Sequence, residues 1–252
     1  MKEGQAIFES AQLRRDGSVV PVEVHARIVG GKNDKLILSV THDITERKKA
    51  EAELTESYAT LKKTLKDAIK TMAKIVEMRD PYTAGHQQRV TQLAVAIARE
   101  LNFNEQLIEQ FWMAAIVHDI GKIYVPSDIL HKPGKLTDIE LSLIKTHPQG
   151  GYDIVKGMEL PYVIAQAILQ HHERLNGSGY PHGLKDKDII IEAKIIAVAD
   201  VVEAMASHRP YRPALGIDKA LEEIRQNKGI LYDTKVVEAC VKLFEEKGFK
   251  FE

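Results

Sequence analysis

Seven polar side chains fall at helical spacing from apolar residues: His86, His118, Asp119, His147, His171, His172 and Asp200. His86 lies one turn before Val90, in line with Leu93 and Ile97, and His118 follows Phe111, Ala114 and Ala115. His147 follows Leu143 and Ile144, His171 and His172 follow Ile164, Ala167 and Ile168, and Asp200 follows Ile196 and Ala197. Residues three or four apart share a helix face, so these groups point toward or beside the interior of a helical bundle. One such histidine alone is ordinarily a satisfied core residue. Seven polar groups on five helices are not explained that way, because buried polar groups are costly without partners and carboxylates more so. Convergence on metal ions relieves the cost, since neutral imidazole and carboxylate are natural ligands. Two ions suit seven ligands better than one, and Asp119 beside His118 can bridge them while the histidine binds one. Bundle interiors build di-metal sites from facing helices in this way. With one cysteine, Cys240, a thiolate zinc cluster and an internal disulfide are both excluded. Absence of cysteine ligands also disfavours structural zinc, whereas histidine with carboxylate suits iron, manganese, cobalt or zinc.

The elements that must position these groups are legible in outline. The chain has 252 residues, 44% hydrophobic and 28% charged, which allows one or two domains with a sizeable core. Its net charge of -1 gives no broad footprint for duplex nucleic acid. Met1-Lys2-Glu3-Gly4 leads into no apolar stretch, and the most apolar segment, Ile189 to Ala206, is broken by Glu192, Lys194, Asp200 and Glu203. Neither a signal peptide nor a membrane span is therefore expected. Near the start, Asp16-Gly17 marks a turn, and Val20, Val22, Val24, Ala26 and Ile28 alternate with polar residues as in a half-buried strand. Gly30-Gly31 is a second turn and Leu36 to Val40 a second strand; two or three strands are too few for an independent domain. Thr45 sits where a helix N-cap belongs. From there to Arg79 the apolar residues Leu54, Tyr58, Leu61, Leu65, Ala68, Met72 and Ile75 keep an a/d heptad spacing. That seam predicts either a two-stranded coiled coil joining two copies or an amphipathic helix lying on its own domain. Further helices are expected near 83–102, 105–120, 137–157, 160–174, 188–208, 215–227 and 233–247, with Asn104 as a cap and Thr137 with Glu140 as a capping box.

The motifs resemble a known family. His118-Asp119 with Gly121-Lys122, then His171-His172-Glu173, then Gly179-Tyr180-Pro181, are similar to the HD-GYP subgroup of the HD metal-dependent phosphohydrolases. Arg79 to His86, Leu175 to Pro181, Ala199-Asp200 and Ser207 to Arg212 extend the resemblance over roughly residues 70 to 247. It implies a mainly α fold: an HD-type helical bundle (79–252), a long coiled-coil-like connecting helix (46–78) and a small β fragment (1–45) similar to the C-terminal half of a PAS sensor domain. It further implies two divalent metal ions, iron or manganese by family precedent. One would sit among His86, His118, Asp119 and Asp200, the other among Asp119, His147, His171 and His172. Some members add a glutamate four residues before the first histidine and hold a third metal; here that position is Tyr82, which favours two.

The resemblance implies hydrolysis of the bacterial second messenger cyclic di-GMP to linear pGpG, GMP or both, with a metal-bridging hydroxide as nucleophile, because bound cations lower the pKa of water. Asp119 and Lys122 are the expected catalytic groups, Lys122 serving phosphate binding or transition-state charge. Arg209 and Arg212 suit a second phosphate or a guanine edge, or are plain surface charge. Tyr180 belongs to a loop that shapes the rim, recruits a partner such as a diguanylate cyclase domain, or is a simple turn. Expected partners are therefore cyclic di-GMP and a second copy of the chain through the connecting helix, with no membrane, in a bacterial cytoplasm. A module that binds cyclic di-GMP without cutting it, and an HD phosphohydrolase of another cyclic dinucleotide, are the alternatives.

Overall fold

Alternation and turn chemistry at the N-terminus produce an antiparallel meander of β1 (Gln5–Leu13), β2 (Val19–Gly30) and β3 (Lys35–Asp43), in the order β1-β2-β3. The structure is a computed structural model that describes residues 5–30, 35–80, 85–207 and 214–251. Val24 pairs with Phe8 on one side and with Thr41 on the other. Val20 and Val22 are buried with Ile44, whereas Ile7, Phe8, Leu36, Ile37 and Leu38 stand exposed. The meander is followed by α1 (Thr45–Arg79). Thr45 is its first helical residue rather than its cap: the Asp43 carboxylate accepts from the Thr45 N–H at 2.9 Å and from its hydroxyl at 2.5 Å. An ionised acceptor at a helix N-terminus is favoured by the backbone dipole as well as by the hydrogen bond.

The chain divides into two compact units, Met1–Lys66 and Asp67–Glu252, with α1 contributing to both. Within the second unit α1 packs through Ala73 and Val76, which are buried, and Ile69, which is partly buried. The heptad seam is not consumed by packing: Leu54, Tyr58, Leu61 and Leu65 are all more than half exposed, and Met72 and Ile75 are 48% and 50% exposed.

The second unit continues through α2 (His86–Glu100), α3 (Glu105–Ile116), a 3-10 turn (Ile120–Tyr124), α4 (Ser127–Leu130), α5 (Asp138–Ile144), α6 (His147–Val155), α7 (Tyr162–Gln170), α8 (Ile191–Ala206), α9 (Ile217–Gln226) and α10 (Thr234–Glu245). Its core joins Leu93 and Ile97 of α2, Phe111 of α3, Ile164 and Ile168 of α7, Ile195 and Ile196 of α8, Ile224 of α9 and Val236 of α10. Each large aliphatic side chain buried this fully contributes about 1.5–3 kcal/mol. The predicted caps form: Asn104 accepts from the Leu107 N–H at 2.8 Å, and Thr137 and Glu140 complete a reciprocal capping box. Among the described residues, no helix is long and apolar enough to cross a membrane.

Three predicted helices stop early. The helix expected over 105–120 ends at Ile116, that over 160–174 ends at Gln170, and that over 137–157 is two helices, α5 and α6. Pro148 explains the last: it has no N–H to give the Ile144 carbonyl, and its ring crowds that carbonyl.

Candidate metal centre

The three early stops each leave carbonyls without intrahelical donors, and a histidine follows each one. His118 Nδ1 bonds the Ala115 carbonyl at 2.7 Å, His147 Nδ1 the Ile144 carbonyl at 2.8 Å, and His171 Nδ1 the Ile168 carbonyl at 2.7 Å. The Ile144 carbonyl is the one Pro148 cannot serve. A carbonyl only accepts, so each Nδ1 carries the proton. Each Nε2 of a neutral ring is then a bare lone pair.

These lone pairs converge on Asp119. Its Oδ1 lies 3.2 Å from His147 Nε2 and 4.0 Å from His171 Nε2, and its Oδ2 lies 3.6 Å from His118 Nε2 and 4.0 Å from His86 Nε2. His147 Nε2 and His171 Nε2 are 3.2 Å apart. With both Nδ1 atoms donating to backbone, two neutral rings have no proton to place between these nitrogens. His118 Nε2 is buried with no hydrogen-bond partner among the described residues. A proton-poor, buried set of nitrogen and carboxylate donors with one orphaned imidazole nitrogen fits a divalent cation. Among the described residues, two groupings have ligand atoms close enough to hold an ion: His86, His118 and Asp119, and Asp119, His147, His171 and His172. Asp200 joins the first, with Oδ1 3.2 Å from His86 Nε2. The structure thus brings together all seven residues singled out in the sequence.

Burial disfavours charge on His118, His171 and His172 and lowers their pKa, well below the ordinary value for the last two, where neighbouring imidazoles add to it. Burial acts against ionised Asp119 and Asp200 as well, yet both are held well below the usual carboxylate range. The Lys122 ammonium is the largest influence that achieves this for Asp119, and His86 does so for Asp200. For His86 burial is outweighed by the Asp200 and Glu203 carboxylates, which push its pKa up to about 9 in the metal-free protein.

Three supporting acids have no role assigned by sequence reasoning, although Glu173 and Asp80 lie within the family motifs. Glu203, 1% exposed, receives His86 Nδ1 and is itself held by Arg89 at 2.7 Å and the Ser207 hydroxyl at 2.7 Å. It lies one helical turn beyond Asp200, a spacing that carries the signal. Asp80 pairs with Lys122 at 3.5 Å, while Lys122 Nζ sits 2.7 Å from Asp119 Oδ2, so the buried ammonium lies between two carboxylates. Burial lowers its pKa, but the Asp119 and Asp80 charges raise it further than burial lowers it. Glu173 accepts the His182 and Leu184 N–H groups at 2.8 and 2.9 Å and so ties down the Gly-Tyr-Pro loop. There Tyr180 stacks on His172 with ring centres 4.7 Å apart.

Two glycines permit this geometry. A Cβ on Gly121 would lie 1.9 Å from the His147 carbonyl oxygen, so only glycine lets the turn carrying Lys122 close on α6. A Cβ on Gly179 would meet the Glu173 Cα and the Arg174 nitrogen, each at 2.4 Å. His131 bonds the Arg79 carbonyl at 2.8 Å, away from the ligand set. Tyr82, His208, Arg209 and Arg212 lie outside the described residues.

Residues 70–236 match the HD domain family model. The chain belongs to the HD domain family. A cyclic di-GMP phosphodiesterase response regulator, RpfG of Xanthomonas campestris pv. campestris, is 38% identical over 179 residues, 70% of this chain and 47% of that protein. A 3'3'-cGAMP-specific phosphodiesterase of Vibrio cholerae is 36% identical over 154 residues, 61% of this chain and 36% of that protein. This chain therefore spans about half or less of the length of these relatives. A solved HDG"Y"P protein from Bdellovibrio bacteriovorus shares the fold, with a TM-score of 0.54 at 20% identity over 64% of this chain and 51% of that one. The mainly α HD bundle and the HD-GYP resemblance both hold.

Proposed function

We propose that the protein is a metal-dependent phosphodiesterase that hydrolyses cyclic di-GMP to linear pGpG, GMP or both. One observation carries the reading: the Nε2 atoms of His118, His147 and His171, their other nitrogens tied to backbone, converge on the Asp119 carboxylate. Two divalent cations, iron or manganese, held between Asp119 and the histidines with Asp200, would neutralise phosphate charge and lower the pKa of an attacking water. The cyclic di-GMP activity named for the Xanthomonas relative supports the substrate.

The chain's own groups have separable tasks. Asp119 serves both ligand groupings and stays ionised. Lys122, charged and anchored between Asp119 and Asp80, holds a fixed positive charge beside the cluster for the scissile phosphate and the charge that develops on it. Tyr180, seated on His172, forms the rim on that side of the cluster; this placement favours a substrate role over recruitment of a diguanylate cyclase domain. Arg209 and Arg212 serve the second phosphate or a guanine edge.

Metal-loaded protein incubated with cyclic di-GMP should release pGpG or GMP on product chromatography, and His118→Ala should abolish release. Intact cyclic di-GMP held for hours by metal-replete protein would sink the reading in favour of a binding module. The Vibrio relative favours a second reading, hydrolysis of another cyclic dinucleotide; the same chromatography with 3'3'-cGAMP separates the two. We also assign the exposed seam of α1 to a second copy of the chain, since Leu54, Tyr58, Leu61 and Leu65 are 71%, 66%, 67% and 54% exposed at heptad spacing. Leu61→Lys should shift the mass measured by light scattering toward the monomer.

A further inference from the structure

Beside the ligand cluster, the α5–α6 segment and the Gly-Tyr-Pro loop enclose a groove of about 750 Å³. Tyr124, Lys145, Gln149, Asp153 and Tyr180 line it. We propose that this groove seats one guanine base of the substrate, with Asp153 and Gln149 reading its edge. The proposal rests on the phosphodiesterase reading above and deepens it.

The groove is built as an aromatic platform continuous with the cluster. Tyr180 stacks on His172 at 4.7 Å and 27°, and the Lys145 ammonium lies 5.5 Å from its ring centre. Tyr124, two residues after Lys122, is 64% exposed. Its ring rests against α6 at Gly150, where a Cβ would come within 2.8 Å of Tyr124 Cδ2. A purine face stacks on such rings, and the neighbouring ammonium suits a phosphate or a ring.

Helix α6 sets the reach. It begins at His147, in the cluster, and carries Gln149 and then Asp153 along the groove. Six residues of helical rise put Asp153 about 9 Å from His147 along the axis, a span that a sugar bridges between a phosphate at one end and a base at the other. Asp153 is held in place: Gln149 Nε2 donates to its Oδ1 at 3.2 Å and Lys156 Nζ at 2.6 Å. The Lys156 contact also keeps its pKa below the usual value, so it is an acceptor-only carboxylate at neutral pH.

That acceptor distinguishes purines. Guanine presents two parallel donors, N1–H and the 2-amino group, which a carboxylate accepts together. Adenine presents one donor, its 6-amino group, beside an acceptor at N1, so a carboxylate there gains one hydrogen bond and sets its other oxygen against the N1 lone pair. The groove therefore selects guanine.

The test compares kcat/KM for cyclic di-GMP and cyclic di-AMP in wild type, Asp153→Asn and Tyr124→Ala, alongside equilibrium binding of 5'-GMP and 5'-AMP by calorimetry. Asp153 has a side chain 42% exposed, so its variant should fold as wild type does. The wild-type preference for guanine should fall about tenfold in Asp153→Asn, the discrimination of one bidentate pair. Tyr124→Ala should weaken both purines together. An unchanged guanine-to-adenine ratio in Asp153→Asn overturns the subsite and leaves the phosphodiesterase reading intact. Wild type that cuts no cyclic dinucleotide, yet prefers 5'-GMP through Asp153, overturns the catalytic reading and keeps the subsite. Neither cleavage nor preference overturns both.

Discussion

In one ligand grouping His86 turns its Nδ1 to the carboxylate of Glu203; its neighbour His118, and His147 and His171 of the other grouping, turn theirs to backbone carbonyls. Both devices fix the ring, but they differ in target and charge: His86 Nε2 faces Asp200 at 3.2 Å, with Asp119 4.0 Å away, whereas the other three rings face Asp119. A carboxylate stabilises a protonated imidazole and raises the basicity of the nitrogen across the ring, while a neutral carbonyl in a buried site leaves the ring neutral. Hence His86 is pushed up to about 9 in the metal-free protein, while burial holds His118 and His171 down. The difference teaches that one binding site can be built by two unrelated routes. One is a charge network of side chains; the other is a set of helix ends whose spare carbonyls do the orienting.

Asp119 is where the two groupings meet, so its removal gives the largest effect. Asp119→Ala should cut turnover at least about a thousandfold, since several kcal/mol of charge stabilisation goes with the shared ligand. Elemental analysis of the same variant should show metal lost from both groupings; loss from one alone would break the view that they share a ligand.

Next come changes confined to one grouping. Glu203→Gln should lower metal affinity about 10–100-fold at the His86 grouping only, read by titration of metal-stripped protein. In the other grouping Pro148→Ala supplies an N–H that competes with His147 for the Ile144 carbonyl. A loss of about tenfold at the His147 grouping is expected, checked by the same titration. If Pro148→Ala leaves affinity unchanged, the carbonyl is not what aims that ring.

The smallest effect is the pH response of metal-stripped protein, in which the carboxylate-held ring and the carbonyl-held rings pull oppositely. His86 has a raised folded pKa, so its contribution is complete below 6.5, the ordinary value, and is lost as pH rises through about 9. His118, His171 and His172 have lowered folded pKa values, so the unfolded chain binds their protons first and stability is lost as pH falls below 6.5. Asp119 and Asp200, also lowered, add to the loss once pH drops below 3.8. Thermal melts of the chelated protein should peak near neutrality and fall off on both sides, with Glu203→Gln flattening only the alkaline limb. An unchanged alkaline limb in that variant would remove Glu203 from the account.

Much of this was readable in one dimension. The capping box at Thr137 and Glu140, the cap at Asn104 and the heptad seam follow from local chemistry, which neighbours in sequence carry wherever they fold. The seven polar residues could be named because a histidine or aspartate at apolar spacing conflicts with its surroundings. What went unread has a common cause. Helices were extended through residues 105–120, 137–157 and 160–174 because periodicity does not mark where a helix yields to a tertiary partner. Pro148 was the one local sign of a break, and helical spacing on both sides masked it. Taken singly, Glu203 and Asp80 carry no local sign of their role: Glu203 reads as a break in an apolar helix and Asp80 as the polar end of one, until the His86 and Lys122 partners are known.

The sequence by itself determined which groups are available and which faces they occupy, because side-chain type and helical period are local properties. Only the tertiary structure decided how each imidazole points, since that depends on carbonyls left open at helix ends and on an acid far along the chain. Ring orientation follows from where helices stop against one another, and packing sets those stops.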